Sequence, residues 1–472
     1  MTEGDRTAPS RGALQRWNDE YSRMGGFYLI WVGQLASLLG TTMAQFAFVI
    51  HSWASGGHAT TVVGLLLAGF LPRMLLSPLA GTLVDRWPKK TVLQLSDLGG
   101  MLALGALAAV YFLGHLAIWQ IYVALALAGV AEAFQYPAFS AAVPLLVPRD
   151  GLQRANGLMA TAQSITSIGG PVFAGVLIAT GGLGSILVLD VVSYAIAVLT
   201  IVAIPIRDAV TAEKAEKTEK SSLWGETGAG LRYILTTPSL RSLTGVILVA
   251  NISAVFGFAV LAPMILARSD NDEAAWAIVS VCTGIGGVVG GLLMSLLKAP
   301  RSRMRVLLLG TAGVGLIGQV AMGAGRDLPA WCAAELVCAA LLPIVNAMET
   351  IQMQAKVPAA LQGRVFGASI FLSQCVAPLV FLVSGPLADH VFEPQAASGT
   401  GIVGLLAPLI GHGRGTGMAA MLFLAGLMTF VVGLAGLAVP SLRDIDTLMP
   451  DLPEERAQEP AAEPMVPLGG HE

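Results

Sequence analysis

Apolar stretches of about 20 residues, separated by short polar segments, recur along the whole chain. Each reaches or approaches the length a helix needs to cross the roughly 30 Å hydrocarbon core of a bilayer. Twelve spans are predicted. Six form a first set: Phe27–Ile50, Thr61–Ala80, Thr91–Leu113, Ile118–Ala142, Gly157–Thr180 and Ile186–Ile204. Six form a second: Leu243–Leu266, Ala274–Leu297, Met304–Ala324, Trp331–Ile351, Val365–Leu387 and Gly417–Val439. Glycine and proline inside long unbroken runs argue helices, because barrel strands would show short alternating segments. The pattern predicts an all-α membrane protein with a polar tail (1–26), a six-helix bundle (27–204), a central loop (205–241), a second six-helix bundle (242–439) and a polar tail (440–472).

Composition fits a bilayer protein. Of 472 residues, 55% are hydrophobic and only 12% charged, about half the charged share of a soluble domain. The 55 glycines suit helices that approach closely without water to drive them together. Net charge is −3, which predicts no nucleic-acid partner. Cys282, Cys332, Cys338 and Cys375 all fall within spans and lack disulfide or zinc spacing. Basic residues orient the chain. Of the 27 Lys and Arg, only Arg268, Arg326 and Arg414 fall in the loops of one side, and Arg73 lies inside a span. The positive-inside rule then predicts both termini in the cytoplasm. In the central loop, the charged linker TAEKAEKTEK precedes a segment in which Leu223, Trp224, Leu231, Ile234 and Leu235 stand among polar residues, the pattern of an interfacial amphipathic helix. The last tail is acidic and proline-rich, a composition that predicts disorder.

The two halves echo one another at an offset of 210 residues: Gly81-x-Leu83 with Gly291-x-Leu293, Val147-Pro148 with Val357-Pro358, Arg154-x-x-Gly157 with Arg364-x-x-Gly367, and Gly175 with Gly385. Six-helix halves in the same orientation form a parallel repeat. Such a repeat predicts a substrate cavity between the halves near the bilayer midplane, exposed to alternate sides as the halves rock.

The loop after the second span reads GTLVDRWPKK. It resembles the loop 2–3 signature of the major facilitator superfamily, with Gly81, Leu83, Asp85, Arg86 and Lys90 in place, Lys89 standing for arginine and Pro88 for the usual glycine. The resemblance implies a cytoplasmic gate in which Asp85 accepts from the amino terminus of span 11, expected near Arg364, and closes the cytoplasmic side. The fifth span carries GGPVFAG, with Gly169, Gly170, Pro171 and Gly175. It is similar to an element of the drug antiporter branch, although Ala174 replaces one glycine; ordinary helix packing is the other reading of it. The stretches LVPRDGLQRANGLMATAQSITSIGGPVFAG, VPAALQGRVFG and GPLADHVFEP resemble the bacterial macrolide-efflux and enterobactin-exporter branch. The resemblance runs from Phe27 to Val439. It implies the twelve-helix major facilitator fold, a monomer, and a small-molecule exporter of the bacterial plasma membrane.

Charges inside a membrane are costly and mark pathways or pairs. Arg73 in span 2 and Glu132 in span 4 lie at comparable depth and are expected to pair, as a static tie or as a pair that opens in one state and leaves Glu132 to carry a proton. Asp97, Asp190, Glu335 and Glu349 are further proton-coupling candidates, each with helix-end snorkelling or a local partner as the alternative. Gln34, Gln45, Gln163, Asn251, Asn346 and Gln374 are cavity candidates that could equally bond between helices. His51, His58, His115, His390 and His412 share one side but lack ligand spacing, so no metal is expected. There is no phosphate-binding Gly-x4-Gly-Lys motif, nucleophile motif or cofactor fingerprint, so neither an enzyme nor ATP hydrolysis is expected. The expectation is a secondary exporter of amphipathic small molecules driven by proton antiport. An importer of the same fold and a non-transporting sensor or scaffold stay open.

Overall fold

The computed structural model describes residues 13–148, 151–204, 231–296, 300 and 302–449. The side chains of 13–23 and of a few later residues, Asp85 among them, lie outside this description, as do the TAEKAEKTEK linker, Leu223, Trp224 and the last tail from 450 onward. The chain is helical, with no strand among the described residues. The first half holds α1 (Ala13–Gly56), α2 (Ala59–Arg86), α3 (Lys89–Phe112), α4 (Ile118–Leu146) and α5 (Leu152–Ala203). The second holds α6 (Pro238–Arg268), α7 (Glu273–Leu296), α8 (Arg303–Ala324), α9 (Leu328–Lys356), α10 (Ala359–Leu387), α11 (Gly401–Ile410) and α12 (Thr416–Ala438). A π-helical turn, Ala388–Phe392, and a short helix, Glu393–Ser398, continue α10 without a break. Eleven of these runs are long and apolar enough to cross a membrane.

α5 supplies two crossings. Its 52 residues would stretch about 78 Å as one helix at 1.5 Å per residue, more than twice the hydrocarbon thickness. Gly182 breaks it, with φ 66° and ψ −171°, a conformation open to glycine alone. Contacts with α1 show the reversal. Before the break, Leu158 O accepts from Trp31 Nε1 at 2.9 Å and Gly170 packs on Thr42, so the numbering rises together. After it, Asp190 packs on Gly40, Thr200 on Gly33 and Ile204 on Gly26, so it runs oppositely. With twelve crossings, each half begins and ends at the same face. That face carries the α2–α3 turn and most of the described Lys and Arg, and is termed the basic end; the opposite face is the far end.

Several boundaries differ from the sequence reading. α1 begins at Ala13 rather than Phe27, because the helix continues into the polar tail. The expected amphipathic helix is seen only as one turn, 231–236, with Ile234 buried, before α6 starts at Pro238. The loop expected between the last two spans is largely helical. It holds α11, whose ten residues are too short to span and too few to stand out by length.

Glycine sets the helix spacing. Gly129 of α4 lies against the Gly69 backbone of α2. In the second half Gly286 and Gly290 of α7 lie against Leu336 and Ala340 of α9, where a Cβ on Gly290 would sit 2.9 Å from Ala340 Cα. Close approach at small residues is how membrane helices gain packing energy. Gly290→Ala is therefore expected to cost about 1–3 kcal/mol by overpacking, read as a lower melting temperature of the detergent-purified protein. Gly291→Ala, whose added Cβ meets nothing within 4 Å, should be neutral or slightly stabilising.

Candidate functional site

Between the halves lies a cavity of about 950 Å³, at the upper end of the range for small-molecule sites. Its walls come from α1 to α5 on one side and α6, α7, α9 and α10 on the other. Most of the lining is apolar, with Phe46, Phe70, Phe258, Trp276 and Phe381 giving it aromatic surfaces. The far end is closed. Phe46 and Trp276 stack across the halves, centroids 6.0 Å apart and planes 4° from parallel. Trp53 Nε1 donates to Asn271 Oδ1 at 2.7 Å, and Trp53, Ala59 and Val62 share one buried cluster with Val260, Ile265 and Met418. Toward the basic end the buried clusters separate. One, around Phe27, Leu93 and Phe139, belongs to the first half; another, around Leu243, Leu308 and Met348, belongs to the second. Among the described residues, the halves meet at the far end and part at the basic end.

Among the described residues, three charged side chains line the cavity: Arg73, Glu132 and Glu335. Arg73 Nη1 stands 3.4 Å from Glu132 Oε2, and the guanidinium also lies over the Phe70 ring at 5.4 Å. The glycine contact explains the pair. Arg73 and Glu132 sit one turn beyond Gly69 and Gly129, on helices that run in the same direction. The second half also ties a carboxylate beside a glycine contact: Glu335 Oε1 accepts from Thr283 Oγ1 at 3.0 Å, Glu335 adjoining Leu336 and Thr283 lying one turn before Gly286. Each half thus sets one carboxylate on its fourth crossing, tied to its second.

The other acids are placed elsewhere. Asp97 is fully buried among α1, α3 and α4, its Oδ2 accepting from Gln34 Nε2 and its Oδ1 from Gln135 Nε2, both at 2.6 Å. Asp190 is also fully buried, and neither carboxylate oxygen has a hydrogen-bond partner. One turn along, Tyr194 accepts through its hydroxyl from Thr41 Oγ1 at 3.1 Å. Glu349 lies toward the basic end of α9, outside the cavity lining. Of the six uncharged candidates, Gln45, Gln163 and Asn346 line the cavity. Gln34 is committed to Asp97, Asn251 donates to Ser373 Oγ at 3.5 Å, and Gln374 is exposed outside the lining. Gln135 and Thr283 carry the two carboxylate contacts that sequence pattern did not reveal, since neither lies near its partner in the chain.

The loop 2–3 signature caps the basic end of α2. Gly81 has no described neighbour within 4 Å of an added Cβ, and Arg86 is exposed. Lys89 Nζ donates to Trp87 O at 3.4 Å, and Lys90 Nζ to Val202 O and Ile204 O at the end of α5, at 3.1 and 2.7 Å. Leu83 lies on the apolar groove between α3 and α4. The helix that Asp85 is expected to face begins at Ala359, five residues before the exposed Arg364. In the fifth span, Gly170 packs on Thr42, Pro171 lines the cavity, and Gly175 lies 3.4 Å, as an added Cβ, from Ala277 of the other half. Gly169 is nearest to Leu39 and Phe173.

Two six-helix halves around a central cavity are the architecture of a membrane transporter. The sequence profile of the Major Facilitator Superfamily matches residues 30–382, and the chain belongs to that family. Macrolide efflux protein A of Streptococcus pyogenes is 26% identical over 375 residues, covering 77% of this chain and 90% of that protein. The multidrug efflux pump Tap of Mycolicibacterium fortuitum is 27% identical over 382 residues, covering 78% and 90%. The enterobactin exporter EntS of Escherichia coli is 27% identical over 347 residues, covering 70% and 76%. Among solved structures, a bacterial homologue of the iron transporter ferroportin in an inward-facing state superposes with a TM-score of 0.62 at 16% identity, covering 86% of this chain and 97% of that one. A bacterial homologue of the lysosomal transporter Spinster, also inward-facing, gives 0.60 at 12%, covering 90% and 98%.

The Asp97 network is a stability element in its own right. Gln135→Leu leaves one buried carboxylate oxygen without its donor and is expected to cost about 1–3 kcal/mol, seen as a lower melting temperature. Gln374→Leu, at an exposed position, should change stability by less than about 0.5 kcal/mol.

Proposed function

We propose that the protein exports an amphipathic, cationic small molecule from a bacterial cell by proton antiport, with its basic end in the cytoplasm. The observation that carries this reading is the cavity itself: aromatic and apolar walls, with one carboxylate presented by each half and a single arginine between them. Aromatic walls suit an apolar body, and ring faces also attract cations. Two carboxylates against one guanidinium favour positive charge. The positive-inside rule puts the basic end inside, so the open cavity faces the cytoplasm, where cargo would enter. The efflux relatives support export over uptake.

Antiport follows if a carboxylate holds cargo or proton but not both. Cargo taken from the cytoplasm displaces the proton, and after the halves rock a proton from outside displaces the cargo. Glu132 is the leading group because Arg73 offers it a partner when neither is bound, and Glu335 is the second. Binding of the two ligands is then reciprocally coupled through one site. Asp97 and Asp190, sealed inside the first half, serve as relays or structural ties rather than as the cargo-facing group. The protein works as a monomer in this reading, since all cavity walls come from one chain.

The test is uptake of a fluorescent lipophilic cation into inverted membrane vesicles under an imposed inside-acid gradient. The wild type is expected to accumulate the dye, and Glu132→Gln to lose gradient-driven accumulation by about tenfold or more, as expected for a functional membrane carboxylate. Glu335→Gln should weaken it less. Equal accumulation in wild type and Glu132→Gln would remove Glu132 from coupling. Accumulation only under the opposite gradient would favour the importer.

A further inference from the structure

The far end of α10 carries an unassigned copy of the spacing found at the basic end of α2. Gly385-Pro-Leu387-Ala-Asp389-His390 matches Gly81-Thr-Leu83-Val-Asp85-Arg86 position for position: glycine, leucine two residues on, aspartate two further, then a basic residue. α2 runs from the far end to the basic end and α10 the opposite way, so each helix bears the pattern where the other one starts. At the far end the geometry is explicit. Asp389 Oδ1 accepts from the backbone N–H of Ala59 at 2.9 Å and Oδ2 from that of Thr60 at 2.8 Å. These are the first two residues of α2, 330 and 329 positions away and in the other half. Two orphan donors of a helix start are thereby satisfied by one carboxylate, which also lies at the positive end of the helix dipole.

The glycines of the two patterns differ in the way closure at one end and opening at the other requires. A Cβ on Gly385 would lie 2.7 Å from Thr60 Cα, backbone against backbone. Among the described residues, a Cβ on Gly81 would meet nothing within 4 Å. Of the two glycines, the far-end one is thus in contact with a described neighbour and the basic-end one is not. Asp389 sits in the π-helical turn Ala388–Phe392, a widened turn of a kind often found at functional positions.

We infer that Asp389 is the far-end latch of the transport cycle, holding α10 to the start of α2 while the cavity is open at the basic end and releasing it when the basic-end pattern closes. Asp389 is a positioning residue: it touches no cargo and acts by weighting the two states. The inference rests on the two halves rocking, as the proposed function requires, but not on cargo, direction or coupling ion. A carboxylate accepting from two amides at a helix start makes charge-assisted bonds, about twice as strong as neutral ones. Its loss should therefore move the balance of states by about tenfold or more toward opening at the far end.

The test is a pair of spin-label distance measurements on the full chain, with no substrate, in a background lacking the four native cysteines. One pair, at Ser55 and Ala397, reads the far end; the other, at Thr91 and Gln354, reads the basic end; all four positions are exposed. Asp389→Ala and, independently, Gly385→Ala, which wedges the same contact without touching the carboxylate, are expected to lengthen the far-end distance and shorten the basic-end one together. Asp389→Asn should do so less. Unchanged distances in both alanine variants would overturn the inference. So would far-end lengthening with the basic end unmoved, which marks local loosening. If Asp389→Ala does not fold, Gly385→Ala alone decides. Failure of dye transport in vesicles leaves these distances unaffected, so the two readings stand or fall separately.

Discussion

Backbone-to-backbone contact at glycine is the constraint on which the rest of this structure depends. A bilayer offers helices no hydrophobic reason to associate, because lipid chains are as apolar as their own side chains. What remains is close packing, and this chain supplies it where Gly129 meets Gly69 and where Gly286 and Gly290 meet Leu336 and Ala340. These contacts fix the rotation of α4 on α2 and of α9 on α7. Glu132, one turn from the first contact, and Glu335, beside Leu336 of the second, emerge toward the cavity. Moving a glycine contact by a residue would swing Glu132 or Glu335 about 100° around its helix, away from Arg73 or Thr283. The polar chemistry of the site is thus a consequence of apolar packing behind it.

The same constraint divides the labour of the molecule. Within a half, glycine contacts and the Asp97 network make a body that has no reason to deform. Between halves, glycine contacts such as Gly385 on Thr60 are joined at the far end by ties of another kind: a stacked aromatic pair, an indole hydrogen bond, and a carboxylate on a helix start. Such contacts break without leaving a cavity, since each partner finds water or a new partner when it separates. Rigid halves joined by replaceable contacts are what rocking about a central site requires.

Much of this was legible in the sequence, for physical reasons that also explain what was not. Spans are visible because the bilayer demands length and apolarity, and the parallel repeat because matched residues recur at a fixed offset. Arg73 and Glu132 stood out because a charge inside a span needs a partner. Gln135 and Thr283 did not, because an uncharged polar residue in a membrane helix has too many possible partners for one to be preferred. The start of α1 was missed because polar residues continue a helix beyond the membrane without an apolar signature. α11 was missed because ten apolar residues fall below spanning length. Asp389 was passed over because it lies where a loop was expected, and only the fold brings it to the start of α2.

The reversal at Gly182 has a consequence for how the protein is made. α5 passes from one crossing to the next through a single glycine in an extended, positive-φ conformation, with no polar loop between. Helical pairs of this kind have no polar loop to carry through the hydrocarbon, and between Ala155 and Ala203 the one acidic or basic side chain that must enter it is Asp190. The two crossings therefore enter the bilayer as one hairpin. Both ends of that hairpin lie at the basic end, so the first half completes its sixth crossing on the face where it began.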